Sequence, residues 1–212
     1  MSNPMTRSDF YRRFILRPLS YSQLSAWEYN KDEWYERYIL NKRTPANSAM
    51  RAGTIIGDSI GTDKSLVPLL TPPGVKEYEL RASLGDIHIV GYCDHYCPLT
   101  HTLHENKTST NRKKWNQKSV DEHKQLDMYA LMLFLTHDVL PNDLTIYLNY
   151  IPVIEGADMR YYLPDPVEFY QYPTRRTDEH LVNMTRYIEN TVEDMCAYAI
   201  HKDSLSTVEI VV

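Results

Sequence analysis

The sequence predicts an α/β fold, and three stretches carry that prediction. Residues 75–109 alternate apolar and polar side chains over three strand-length segments. An unbroken helical pattern follows at 119–136. A second strand block at 144–163 then gives way to a long helical run at 176–200.

Residues 20–41 read as one or two helices, with Trp27, Trp34 and Tyr38 on apolar faces. Met50 to Ile60 reads as a short helix, and Pro68, Pro72, Pro73 and Gly74 as a loop. Val75 to Ser83 follows as the first strand, with Glu77 and Glu79 sharing a face. Asp86 to Tyr96 is the second: Ile87, Ile89 and Gly91 point one way, His88, Val90 and Tyr92 the other. Cys97-Pro98-Leu99-Thr100 has hairpin-connection length, and Pro98 suits a turn better than a central strand. His101 to Ser109 is the third strand.

Ser119 with Glu122 three residues on is close to a capping box, and no Gly or Pro interrupts the chain from there to Thr136. Leu126, Tyr129, Ala130, Leu133 and Phe134 recur at helical spacing. Leu144 to Ile151 and Ala157 to Leu163 read as further strands joined through Glu155-Gly156, and Pro164, Pro166 and Pro173 mark a loop. Arg176 to Ile200 reads as the final helix, and Ser206 to Val212 as a tail, either an edge strand or a loose end.

The chemistry concentrates between Gly91 and Tyr129. Gly91-Tyr92-Cys93-Asp94 is followed by Glu105-Asn106-Lys107 and then by Gln125-Leu126-Asp127-Met128-Tyr129. Leu103, Glu105 and Lys107 share one strand face, so the acid and the ammonium project together. An antiparallel partner brings Asp94 beside them. Two such carboxylates repel unless a cation sits between them. Mg²⁺ takes oxygen ligands, commonly one or two carboxylates with waters and substrate phosphate. Gln125 and Tyr129, four apart, lie on one helix face. Gln125 there can position a phosphate, a metal-bound water or the lysine. An isolated Glu-x-Lys is ordinarily an exposed pair worth about 0–1 kcal/mol; the Gly-x-x-Asp before it and the Gln-x-x-x-Tyr after it shift the reading toward a site.

These segments, with others, resemble the RecB-type branch of the PD-(D/E)XK nuclease superfamily, especially phage-encoded exonucleases. Leu19-Ser20-Tyr21-Ser22-Gln23-Leu24 is similar to that branch's Ser-x-Ser-x-Leu opening, and Tyr35-Glu36-Arg37-Tyr38-Ile39 to its aromatic-x-x-Tyr-Ile continuation. Gly53-Thr54-Ile55-Ile56-Gly57-Asp58 resembles the next helix, and Asn111-Arg112-Lys113-Lys114-Trp115 the basic link to the Gln helix. The likeness spans roughly residues 19–135. It implies a central mixed sheet flanked by helices, a restriction-endonuclease-like core, in one nuclease domain over residues 1–212. The motif core would span about 75–150, the N-terminal helical part 19–62 and the C-terminal helix about 176–200. It implies Mg²⁺ or Mn²⁺ as cofactor, with Asp94 and Glu105 as metal ligands and Asn106 as a backbone-carbonyl ligand. Lys107 would be the catalytic lysine, supported by Gln125 and Tyr129. It also implies Ser22 as a DNA contact, DNA as substrate, and a recombinase or single-strand-binding protein as an associate.

Two departures stand out. Many members carry a metal-binding histidine where this chain has Gly57, so that ligand is missing or Asp58 replaces it. Where iron–sulfur members have their first cluster cysteine, this chain has Asn30, and its three cysteines fall short of four-Cys ligation; no cluster is expected. Cys93 and Cys97 have a spacing that could also hold zinc with His95 or His101, against the shorter spacings usual for structural zinc. Reduced, small apolar residues are the expectation for both. A third, odd cysteine favours a reducing compartment, and the expected location is the cytoplasm, that of a host if the protein is viral.

At 212 residues the chain can bury a substantial core as one domain with elaborations. No run of about 18 apolar residues occurs, so no membrane span is expected, and Met1 to Asp9 lacks the apolar segment of a secretory leader. The net charge of −5 argues against a general basic coat for nucleic acid. Arg112, Lys113, Lys114, Lys118 and Lys124, with Trp115 among them, form a local basic segment that either grips phosphates and stacks a base or is a solvated loop. Arg12, Arg13 and Arg17 form a weaker second set. The 17 tyrosines suit wet cores or base stacking. The expected activity is a Mg²⁺- or Mn²⁺-dependent DNA exonuclease. The alternatives are a non-catalytic DNA-binding or assembly protein on the same fold, and a structure-selective endonuclease.

Overall fold

A computed structural model of the chain describes residues 5–42, 45, 47–62, 64–68 and 70–208. Its centre is a five-stranded mixed sheet in the order β1-β2-β3-β4-β7. Strands β1 (Val75–Leu84) and β2 (Ile87–Cys97) form a long antiparallel hairpin turning at Gly85. Strand β3 (Thr102–Ser109) runs antiparallel to β2 and parallel to β4 (Thr145–Pro152). The parallel step needs a crossover, and α5 (Gln117–Asp121) and α6 (Lys124–His137) supply it. On the far edge β7 (Tyr170–Thr174) pairs antiparallel with β4. This is the mixed sheet flanked by helices that the sequence predicts, a restriction-endonuclease-like core.

Helix α6 lies across β1 and β2, and α7 (Asp178–Val208) packs behind it. Helices α1 (Arg7–Leu16), α2 (Tyr21–Tyr29) and α3 (Lys31–Trp34), the last continuing into a π-helical turn at Tyr35–Ile39, close the same side. Their apolar faces merge into one core through Leu24, Trp34, Leu80, Ile89, Leu126, Met132 and Ile188. Helix α4 (Ser48–Ser59) covers the opposite sheet face over a smaller core of Ile56, Ile60, Val67, Leu70, Ile151 and Val153. The site lies between these two bodies. Among the described residues no helix is long and apolar enough to cross a membrane.

Four elements differ from the sequence reading. The helix expected over 119–136 is two helices. Asn116, not Ser119, caps the first, Ser119 completing its capping box, and His123 interrupts the run with extended backbone (ψ 102°). The expected strand at 157–163 shrinks to β6 (Tyr161–Tyr162), paired with β5 (Ile154–Glu155) in a separate ladder. The stretch read as a loop around Pro173 contains β7; an edge strand tolerates proline because no partner waits on its outer side. Helix α1 was not anticipated, although Thr6 and Asp9 form a capping box at its start and Phe10 and Phe14 supply its buried face. Residues 206–208 extend α7, and the rest of the tail lies outside the described residues.

The β1–β2 hairpin changes face midway. Lys76 Nζ reaches the last carbonyls of α4, at Gly57, Asp58 and Ile60, whereas the Tyr78 hydroxyl reaches His137 Nε2 of α6. Side chains two apart on a regular strand point the same way, so the backbone turns over between them. Glu77 does this with φ +52°, a left-handed conformation rare for a side chain of its size. Sustained strain of this kind concentrates at functional sites.

Candidate active site

Strands β2 and β3 pair only from His95↔His104 to Cys97↔Thr102. Beyond that register they part, and the gap is a cleft of about 450 Å³. Asp94, Asn106, Lys107 and Thr108 line it from the sheet, Gly53, Thr54, Gly57 and Asp58 from α4, and Glu77 from β1. Asp94 stays at the cleft because its carboxylate accepts the Asn106 backbone N–H. Asn106 is held in turn by Asn149 of β4, whose Nδ2 donates to Asn106 Oδ1 at 2.8 Å while its own Oδ1 accepts from Gln171 Nε2 at 3.0 Å.

Glu105 is 3% exposed, and Lys107 ion-pairs with its Oε1. The other carboxylate oxygen, Oε2, is buried with no hydrogen-bond partner among the described residues. Burial, then the neighbouring Glu105 charge, drives the Asp94 carboxyl well above the usual carboxylate range; the Asn106 N–H and Lys107 oppose this less strongly. Burial, then Asp58, raises Glu77 as well. Asp58, Glu77, Asp94 and Glu105 thus stand near one another against two ammoniums, Lys107 beside Glu105 and Lys76 beside Glu77, an excess of negative charge that favours a cation.

Hydrogen-bond polarity fixes what Lys107 can do. The Tyr129 hydroxyl donates to Tyr92 O at 2.6 Å, so it accepts from Gln125 Nε2, at 2.8 Å. With its NH₂ thus committed, Gln125 turns Oε1 to Lys107 Nζ, at 2.8 Å. Burial, then the Glu105 charge, pushes the Tyr129 phenol well above its normal range, so the hydroxyl keeps its proton. Lys107 therefore donates to Glu105 and Gln125, and its remaining N–H is available to the cleft.

Removing one link of this relay has a defined consequence. Tyr129→Phe should release the Gln125 amide and strand the Tyr92 carbonyl. We expect stability to fall by about 1–3 kcal/mol, read by urea unfolding. The Tyr129 ring fits because residue 91 is glycine: a Cβ there would stand 2.9 Å from Tyr129 Cε1 and 3.3 Å from Met132 Sδ. Gly91→Ala should cost about 1–3 kcal/mol of stability by overpacking, measured as a lower urea midpoint at unchanged slope.

The structure thus brings Asp94, Glu105, Lys107, Gln125 and Tyr129 together, with Asn106 and Asp58 at the cleft wall. Glu77 reaches the cleft; Glu79 is turned away to Arg81 and the Tyr92 hydroxyl. Other predicted contacts lie apart from it. Ser22 is exposed on α2 and hydrogen-bonded to Ser20. Arg112, Lys113, Lys114 and Lys118 stand exposed on the segment after β3, Arg112 facing Glu168 and Lys118 facing Glu122. Trp115 corrects the expectation of a base-stacking surface: it is a core residue, packed on His123 with ring centroids 5.0 Å apart. Cys93, Cys97 and Cys196 are free thiols. Sequence reading missed Asn149, although an asparagine amid Tyr147, Leu148, Tyr150 and Ile151 of a buried strand is a signal of a polar network.

No family model and no curated protein matches the sequence. Solved structures do match in three dimensions. A protein of Eubacterium rectale provisionally assigned as an exonuclease aligns with a TM-score of 0.56 at 10% identity, over 95% of this chain and 88% of its own. A phage-related exonuclease from Haemophilus somnus 129PT gives 0.52 at 13%, over 83% and 82%. LHK-Exo, an alkaline exonuclease from Laribacter hongkongensis, gives 0.53 at 12% in its complex with dAMP, over 95% and 98%. The chain has the fold of these proteins. At such identities the likeness reaches the path of the backbone and stops short of the residues.

Among the described residues, no three His, Cys, Asp or Glu side chains gather into a ready-made metal cage. The Asp94–Glu105 pair still fits a divalent cation: an orphaned buried oxygen on Glu105 and a carboxyl on Asp94 that resists ionising are both relieved by one positive charge. Mg²⁺ completes its shell with waters and substrate oxygens, so two protein carboxylates suffice.

Proposed function

We propose that this chain is a Mg²⁺- or Mn²⁺-dependent DNA nuclease of the PD-(D/E)XK superfamily, one domain over residues 1–212 that removes nucleotides from strand ends. The observation that carries the reading is Asp94 and Lys107 on the wall of one cleft, with Glu105 ion-paired to the lysine and Gln125 aimed at it. The shared fold with proteins named as exonucleases, one of them bound to dAMP, supports the end-directed form.

Asp94, Glu105 and the Asn106 carbonyl would hold the cation. When bound, it polarises the phosphate, lowers the pKa of a water and stabilises the leaving oxygen. Lys107 supplies a fixed positive charge. Two of its N–H groups are occupied by Glu105 and Gln125, and the third can orient the attacking water or offset charge gathering on the phosphate. Water adds to phosphorus, the bridging P–O bond breaks, and a phosphate monoester and a hydroxyl result. Asp58 and Glu77, on the cleft wall, keep the approach acidic and so make the cation a condition for phosphate to enter.

The test is end-labelled linear DNA beside closed circular DNA, with Mg²⁺, Mn²⁺ or chelator. Metal-dependent release of nucleotides from the linear form alone is the expected result. Nicking of closed circles would replace this reading with a structure-selective endonuclease. Inactivity on both with either metal would leave a DNA-binding protein on a nuclease fold.

A further inference from the structure

We infer that Arg176 is a positioning residue for this site, acting through the junction of α5 and α6; its bearing on catalysis rests on the nuclease reading above. Arg176 lies just before α7, and its side chain is 0% exposed. Nη2 donates to the carbonyls of Val120, at 3.1 Å, and His123, at 3.3 Å. Nη1 donates to Thr174 Oγ1 at 2.7 Å, and that hydroxyl donates to Asp121 Oδ1 at 2.7 Å. The guanidinium also ion-pairs with Asp127. One planar group therefore grips the chain on both sides of Gln125: the His123 carbonyl before it and the Asp127 carboxylate after it.

This grip falls where α6 needs an external hold. His123 breaks the helical run, so α5 cannot dictate the direction in which α6 starts. The His123 ring lies between Tyr21 and Trp115, and burial, followed by Lys107, Arg176 and Lys114, lowers it to about 3, so it stays neutral and brings no charge of its own. The first turn of α6 carries Gln125, whose Oε1 must meet Lys107 Nζ at 2.8 Å. A buried ion pair is a poor stabiliser beside an apolar pair of equal volume, and its best-attested use is to fix one geometry. The rigid fork of arginine, matched here to three carbonyls (Val120, His123 and its neighbour Arg175), a hydroxyl and a carboxylate, is that kind of device.

The experiment compares Arg176→Lys with wild type, alone and with Gln125→Ala. Arg176→Lys keeps a positive charge for Asp127 and loses the fork; if it does not fold, Asp127→Asn takes its place with the same readouts. The Gln125 side-chain NH₂ resonances, identified by their loss in Gln125→Ala, report its position without any need for cleavage. We expect unchanged far-UV circular dichroism and movement of those resonances toward the free-glutamine position. On linear DNA with Mn²⁺ we expect kcat to fall about ten- to a hundredfold with KM within about twofold. In the Gln125→Ala background the same change should cost less than about twofold. Unmoved Gln125 resonances, or an equal loss in both backgrounds, would overturn the inference. If wild type cleaves nothing, the nuclease reading fails by itself, and the Gln125 resonances still decide whether Arg176 sets that side chain.

Discussion

Replacing Lys107 by methionine is expected to cut the cleavage rate by about a hundred- to a thousandfold, the scale of losing one preorganised charge donor at a reacting phosphate. DNA affinity should stay within a few-fold. Methionine keeps the unbranched stem that passes between Glu105 and Gln125, so packing is preserved while the ammonium is lost. A second effect follows from burial. Glu105 is 3% exposed and its Oε2 already lacks a partner among the described residues, so without Lys107 its charge loses its ion pair. Removing one partner of a buried pair costs about 3–5 kcal/mol. The variant should therefore unfold at lower urea than wild type in chelator, and Mn²⁺ should recover part of the difference by supplying the missing charge. Single-turnover cleavage, fluorescence anisotropy with labelled DNA and urea unfolding with and without Mn²⁺ measure the three effects. Cleavage at the wild-type rate would remove Lys107 from the site, and wild-type stability in chelator would mean that Glu105 is not held as described.

The reach of the sequence here is set by which constraints are local. Ile87, Ile89 and Gly91 announce a half-buried strand because the pleat has a period of two. The same period puts Glu105 and Lys107 on one face, and the helical period puts Gln125 and Tyr129 on another; that much of the candidate site follows from spacing. The hairpin's turnover at Glu77 does not. A glutamate at φ +52° is unfavourable in isolation and holds only because Lys76 is anchored on the end of α4 and Tyr78 on His137 of α6. The break at His123 is equally silent, since no glycine or proline marks it and its partner, Arg176, is far along the chain. Trp115 shows the converse error: an aromatic among lysines reads as a stacking surface, but whether its ring faces solvent depends on His123 and the core behind it. Local rules place groups on faces, and tertiary contacts decide which faces meet.

Asp94→Asn should separate function from stability. Cleavage should fall by about a thousandfold or more, since a bound divalent cation contributes several kcal/mol of charge stabilisation to the reacting phosphate. In chelator at neutral pH the variant should nevertheless be more stable than wild type. The Asp94 carboxyl is raised well above the usual range by burial and by the Glu105 charge. For a group raised on folding, the favourable contribution is complete below its unfolded value, about 3.9, and is lost as pH climbs through the higher folded value. Asparagine does not ionise, and its Oδ1 can still accept the Asn106 N–H, so it escapes that loss. The stability gap should therefore open as pH rises from about 4 and close again on acidification. Excess Mn²⁺ should reverse the order, because a ligand at a hundred times its Kd adds about 2.7 kcal/mol to the form that binds it and the variant has lost half of the carboxylate pair. Urea unfolding across pH, with chelator and with Mn²⁺, reads both effects. A gap that does not change with pH would show that Asp94 is ionised without strain. A variant that gains as much from Mn²⁺ as wild type would place the cation elsewhere.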